Sequence, residues 1–181
     1  FMRRAAESEE LSAFEIVDIN MGCPVPKIYK NGEGSALLEN PRLAERVVEE
    51  TAKSGKIVTV KCRIGISRER IVAEEFCKRM EGAGARAITV HGRTRADMYS
   101  GEPDYKAIAA VKNAVSVPVI ANGGVFSAKD AEIMMERTGA DGVEIARAAL
   151  YDPQIFCEFS GEKRKPLFEM VKRQTEEAEK L

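Results

Sequence analysis

Five short runs of hydrophobic residues punctuate the chain: FEIVDIN (14–20), KIVTVKCRI (56–64), RAITVHG (86–92), VPVIANGG (117–124) and DGVEIARAAL (141–150). They are rich in Val and Ile and nearly continuous, which predicts parallel strands covered on both faces. Stretches with recognisable helix ends fill the gaps. Asn40 and Pro41 form an N-cap and first-turn pair, Leu43, Val47 and Thr51 follow, and Gly55 closes that helix. Ser67 is expected to open the next, which carries Ile71, Val72 and Phe76 and stops at Gly82. Ser127 and Asp130 make an acidic capping box ahead of Ile133 and Met134, with Gly139 as the stop. Asp152 and Pro153 begin a further helix.

Polar residues near the strand ends (Asp18, Lys61, His91, Asn122 and Arg147) recur at steps of 25 to 43 residues, one βα unit per step. An open doubly wound sheet and a (β/α)8 barrel both fit that cadence. An open sheet uses only the strand ends near its switch point, whereas a barrel gathers all of them around one mouth. Every run here ends in a polar or glycine-containing cluster, so the expected fold is α/β of the (β/α)8 TIM-barrel type. A complete barrel takes about 250 residues. Five strands in 181 residues therefore predict an incomplete barrel, about the last five βα units. Residues 1–160 are expected to form this partial barrel, and 161–181, with the polar helical tail KPLFEMVKRQTEEAEKL, to start a C-terminal helical extension. The opening FMRRAAESEE reads as the middle of a helix, as if the chain began inside a larger protein. Open strand edges on such a part-barrel would favour self-association.

Composition narrows the setting. With 44% hydrophobic and 31% charged residues the chain is globular. It contains no apolar run near the roughly 20 residues that span a bilayer, and no signal-peptide pattern opens it. No membrane role is expected, and a cytoplasmic setting is. The four cysteines, Cys23, Cys62, Cys77 and Cys157, form no CxxC pair, so neither a zinc site nor another metal site is predicted. A net charge of −1 does not advertise nucleic-acid binding, which must then rest on local basic clusters.

Candidate chemistry sits at the strand ends. Lys61 ends a buried strand and either faces a ligand at the mouth or snorkels to water. Cys62 points the other way, toward the helices. His91, the only histidine, also ends a strand, and Arg93 and Arg95 follow it on a loop where fork-shaped donors suit phosphates. Gly123 and Gly124 let backbone N–H groups approach a ligand, and Arg147 adds a charge; barrels commonly bind phosphate at these last two loops. Cys23 is different, because Gly22 and Pro24 force the chain out of regular structure and bring the thiol to the mouth. Thiols titrate near about 8.5 in model peptides, so this residue could be a nucleophile or a general acid.

DINMGCP (18–24), GSALL (34–38), TVKCRIG (59–65), ITVHGRTR (88–95) with YSG (99–101), PVIANGG (118–124) and DGVEIARAALYDPQIF (141–156) resemble the bacterial-type tRNA-dihydrouridine synthases in order and spacing. The resemblance implies an FMN-dependent oxidoreductase that reduces a uridine of tRNA to 5,6-dihydrouridine, with NADPH as reductant. It makes Cys23 the catalytic acid, giving a proton to C5 while hydride passes from FMN to C6. Lys61, His91, Asn122, Gly123, Gly124, Ala146 and Arg147 become cofactor-binding, and Asn20, Arg93 and Arg95 substrate-binding. Family members usually have glycine where Ala146 stands. Against the family's length, the chain is expected to lack the N-terminal barrel strands and most of the C-terminal helical domain. On its own it is then expected to bind FMN weakly and to reduce tRNA poorly. Two alternatives are another FMN barrel oxidoreductase acting on a small molecule, of the dihydroorotate dehydrogenase type, and an inactive, self-associating fragment.

Overall fold

The computed structural model describes residues 1–180. Helix α1 (Met2–Ala6) leads into strand β1 (Ile16–Met21), followed by α2 (Pro26–Lys30), a 3-10 segment at Gly34–Glu39, α3 (Pro41–Ala52) and β2 (Ile57–Arg63). A small hairpin, β3 (Gly65–Ser67) and β4 (Arg70–Ile71), precedes α4 (Ala73–Gly82) and β5 (Ala87–His91). Then come α5 (Tyr105–Ala114), β6 (Val119–Asn122), α6 (Ala128–Thr138) and β7 (Gly142–Glu144). Three short or exposed helices finish the chain: α7 (Arg147–Tyr151), α8 (Cys157–Ser160) and α9 (Leu167–Ala178).

The five longer-range strands form one sheet in the order β1-β2-β5-β6-β7. All four pairings are parallel, with helices in the crossovers. This is the α/β arrangement of a barrel wall, open between β1 and β7, as the incomplete barrel requires. Side chains two apart share a face. On one face Val58, Val60, Cys62, Ile88, Val90, Val119 and Ala121 are buried in a core with Phe76, Met80, Ile108, Val111 and Met134 from α4, α5 and α6. The other face is uncovered at Ile16 and Ile57, which are 54% and 46% exposed.

Burial on both faces, expected from the continuous apolar runs, is therefore not what the strands show. The uncovered face is graded. It begins with Ile16, Ile57, Ala87 and Ile120 at the strand starts and ends with Asn20, Lys61, Arg63, His91, Asn122 and Glu144. The apolar starts and β-branched Thr59 and Thr89 made each run look unbroken, although only alternate residues are core.

Helix ends follow local chemistry. The Asn40 side chain accepts from the Leu43 N–H with Pro41 in the first turn, and Ser127 accepts from the Asp130 N–H. Gly139 closes α6 in the left-handed conformation, φ +66°. The Ser67 helix start is corrected: Ser67 lies in the β3–β4 hairpin, Ile71 in β4, and the helix begins at Ala73. The physical reason is the hairpin itself, across whose base the N–H groups of Val72 and Ala73 both donate to the Ile64 carbonyl, just past β2. Likewise, only Gly142–Glu144 of the last apolar run is strand; Arg147 already starts α7. Helix α9 forms as the tail pattern predicts and buries none of its residues. Among the described residues no helix is long and apolar enough to cross a membrane. Replacing Ser127→Ala should lower unfolding free energy by ~1 kcal/mol through loss of this cap, read as a lower urea midpoint at unchanged slope.

Candidate active site

The C-terminal strand ends, with the loops that follow them, enclose a cavity of about 500 Å³. That size lies within the ~300–1,000 Å³ typical of small-molecule sites. Parallel register sets Arg63, His91, Asn122 and Glu144 side by side across four strands. Lys61, one pleat lower, donates from Nζ to Asn122 Oδ1 at 2.8 Å and lies 3.3 Å from Glu144 Oε1. Asn122 Nδ2 donates to the Glu144 carbonyl at 2.9 Å. The cavity floor is thus a bonded network spanning the sheet, and Lys61 faces the mouth instead of snorkelling to bulk water.

His91 is buried at the cavity wall, and its pKa falls to about 3. Desolvation is the largest cause, followed by the charges of Arg63, Lys61, Arg93 and Arg147. The ring is therefore neutral at physiological pH. Arg93 Nη1 lies 3.3 Å from His91 Nε2. A guanidinium can only donate, so Nε2 is the acceptor and the proton sits on Nδ1. Gly123 completes this contact. A Cβ there would lie 2.8 Å from His91 Cδ2, and its φ of +115° is glycine's territory.

The Cys23 loop is held from both sides. The Gly22 N–H donates to Asn20 Oδ1 at 3.0 Å, and the Gly22 carbonyl accepts from Arg63 Nε at 2.9 Å. The Cys23 carbonyl accepts from the Ser35 N–H at 3.0 Å and from Ser35 Oγ at 2.8 Å. Gly34 allows that approach, because a Cβ there would sit 2.8 Å from Cys23 Cβ. The Gly34–Ser35 pair thus fixes the backbone from which the thiol reaches the cavity. Cys62, by contrast, is buried on the helix side, its Sγ 3.8 Å from that of Cys77.

At the rim, Arg147 lies over Tyr99 and Phe126, 4.8 and 5.5 Å from their ring centroids, with Ala146 beside it. Of the residues expected at the site, Asn20, Cys23, Lys61, His91, Arg93, Asn122, Gly123, Gly124, Ala146 and Arg147 all line the one cavity. Arg93 does so with its fork committed: Nε and Nη2 donate to the Gly101 carbonyl at 3.0 and 2.6 Å, and Nε also to Ser100. Arg95 lies outside the lining, 3.7 Å above the Tyr29 ring. Among the described residues no group of three or more His, Cys, Asp or Glu is placed to hold a metal.

The whole chain, residues 1–181, matches the family described as Dihydrouridine synthase (Dus). The chain belongs to the dihydrouridine synthase family. It is 45% identical over 171 residues to "Probable tRNA-dihydrouridine synthase 1" of Synechocystis sp., covering 91% of this chain and 48% of that relative. It is 44% identical over 155 residues to tRNA-dihydrouridine synthase B of Pseudomonas aeruginosa, covering 85% and 46%. The chain thus spans about half the length of the curated relatives it matches. Among solved structures, morphinone reductase in complex with tetrahydroNAD superposes with a TM-score of 0.60 at 16% identity, covering 91% of this chain and 49% of that one. That likeness is one of fold.

Within this dihydrouridine synthase chain, four site residues escape a motif-by-motif reading of the sequence: Arg63, Tyr99, Glu144 and Ser35. Arg63 carried a usable signal, since it shares a strand face with Lys61, two residues away; Glu144 lies on a strand where no residue was singled out. Ser35 and Tyr99 carried none beyond motif membership, because the contacts that matter are long-range. Two outcomes follow from the His91 wall. His91 has a folded pKa below its unfolded value, so its contribution is present above about pH 6.5 and is lost as pH falls toward about 3. Stability measured between pH 7 and 4 should fall less steeply in His91→Asn than in the parent, by roughly 3 kcal/mol over that range. Gly123→Ala should lower unfolding free energy by about 1–3 kcal/mol, measured by thermal denaturation.

Proposed function

We propose that this chain carries the reaction centre of a tRNA-dihydrouridine synthase, a flavoenzyme that reduces a uridine of tRNA to 5,6-dihydrouridine. The observation that carries the reading is the meeting, in one cavity, of the Cys23 loop with a glycine-lined, cationic wall. FMN fits that wall by its donor chemistry. Gly123 and Gly124, with φ of +115° and +74°, line the cavity with backbone that carries no Cβ, and Arg147 lines it beside them. These, with Asn122 and Ala146, would hold the phosphate. Lys61 and the Nδ1–H of His91 would meet the ring or the ribityl chain. Bound and reduced, FMN supplies the hydride for C6 of the uracil, and NADPH is the reductant that restores it.

The chain's own residues then handle the proton. Reducing the C5=C6 bond leaves C5 needing H⁺. Resemblance to the family points to Cys23, which lines the cavity, as the acid that supplies it, while His91 is neutral at neutral pH. The S–H bond breaks, a C5–H bond forms, and the thiolate recovers its proton from water. The uridine must leave its stack to enter such a cavity. Asn20 stands beside the place it would occupy, and Arg93 keeps His91 in its tautomer. Arg95, outside the cavity on Tyr29, is a candidate for the tRNA backbone.

The test is to map dihydrouridine in tRNA from a strain lacking the gene, complemented with wild type or with Cys23→Ala. Wild type should restore the modification. The variant should be slower by about 10²–10⁴-fold in single turnover with pre-reduced flavin, while retaining FMN. Full activity in the variant would sink the acid assignment. Unmodified tRNA in the strain carrying wild type would sink the function itself and favour a small-molecule substrate.

A further inference from the structure

Arg63 is only 2% exposed, yet its bonds are to three peptide carbonyls from two different loops. Nε donates to the Gly22 carbonyl at 2.9 Å, just before Cys23. Nη1 donates to the Thr94 and Met98 carbonyls, both at 2.8 Å, in the loop after β5. That second loop is itself shaped around the contact. Met98 holds φ at +53°, the one described non-glycine residue with positive φ, and Tyr99 follows with its ring centroid 5.7 Å from the guanidinium. The next two carbonyls, Ser100 and Gly101, are taken by Arg93.

We infer that Arg63 is a positioning residue that latches the Cys23 loop to the 94–99 loop, so that the two form one unit around the cavity. The inference rests on the proposed role of Cys23 for its catalytic meaning, though the latch itself does not. A planar fork on a rigid strand can bond acceptors on opposite sides at fixed angles, whereas an ammonium concentrates its donors at one point. Lysine at 63 would keep the charge and lose the span. Its acceptors are carbonyls, and among the described residues no carboxylate bonds the guanidinium, which lines the cavity. Tyr99, within 5.7 and 4.8 Å of the Arg63 and Arg147 guanidiniums, brings the latched loop into the cavity lining.

The test compares wild type with Arg63→Lys and Arg63→Met in the full-length protein. Two readouts need no substrate: the rate of Cys23 alkylation by iodoacetamide, with Cys157 as internal reference, and amide hydrogen exchange by mass spectrometry. Both variants should change the Cys23 rate by about fivefold or more, the shift that losing one such hydrogen bond carries. Exchange should accelerate together in residues 22–25 and 94–99, and elsewhere stay as in wild type. In tRNA reduction, Arg63→Lys should lower kcat and leave the KM for tRNA unchanged, as expected when only the acid is misplaced. Unchanged alkylation and exchange would overturn the latch, and so would loosening of one loop alone. If neither variant folds, Arg63 is core support and the proposal fails. A fully active Cys23→Ala enzyme would remove the acid role while leaving the loop measurements to stand or fall separately.

Discussion

Parallel strands in register all finish at the same edge of the sheet, and a period of two decides which of their side chains meet there. Here that constraint makes neighbours of residues separated by most of the chain. Asn20 pairs with Lys61, Arg63 with His91, His91 with Asn122, and Asn122 with Glu144. The alternate positions go to the helix-covered core, where Val60, Cys62, Val90 and Ala121 are inaccessible to solvent. A slip of one residue in any strand would exchange the two sets, burying charge and exposing the core. The hydrophobic side of the sheet therefore enforces the alignment of the polar side.

Gathering cations at one edge creates a second problem, their mutual repulsion. Most of this site answers it with peptide carbonyls. Arg63 and Arg93 end on the carbonyls of residues 22, 94, 98, 100 and 101, and among the described residues it is Lys61 that pairs with a carboxylate, Glu144. Carbonyl dipoles satisfy the donors and leave the positive charge in place. Burial is the first cause of the low pKa of His91, and the charges of Arg63, Lys61, Arg93 and Arg147 add to it. The same arrangement suits an anionic ligand and disfavours a second cation.

Much of this could be read from the chain. The strand cadence, the caps at Asn40 and Ser127, the stop at Gly139 and the gathering of strand ends all follow from local chemistry and period. The open face of the sheet was not legible. Apolar residues occupy its lower half, so the runs through Ile16, Ile57 and Ile120 read as continuous. Ser67 misled because serine caps helices and fits hairpins equally well, and the Ile64 carbonyl, just ahead of the hairpin, takes the N–H groups of Val72 and Ala73 where the helix begins. At the site, the expected residues were those with unusual side chains at strand ends. The residues that hold them, Ser35 and Gly34 behind Cys23 and Arg63 between two loops, act through backbone atoms distant in sequence. Such partners leave no periodic trace.

The guanidinium groups of Arg63 and Arg93 have surrendered their rotamer freedom to the fold, because each is bonded to backbone on two or more atoms. Arginine in solution loses up to about 2 kcal/mol of side-chain entropy when a ligand freezes it. Around this cavity much of that ordering has happened before any ligand arrives, so association need not wait on side-chain rearrangement. The consequence is a kinetic one. A mouth walled by preset charge should capture its ligand at a rate governed by encounter and by salt, with little left over for induced closure.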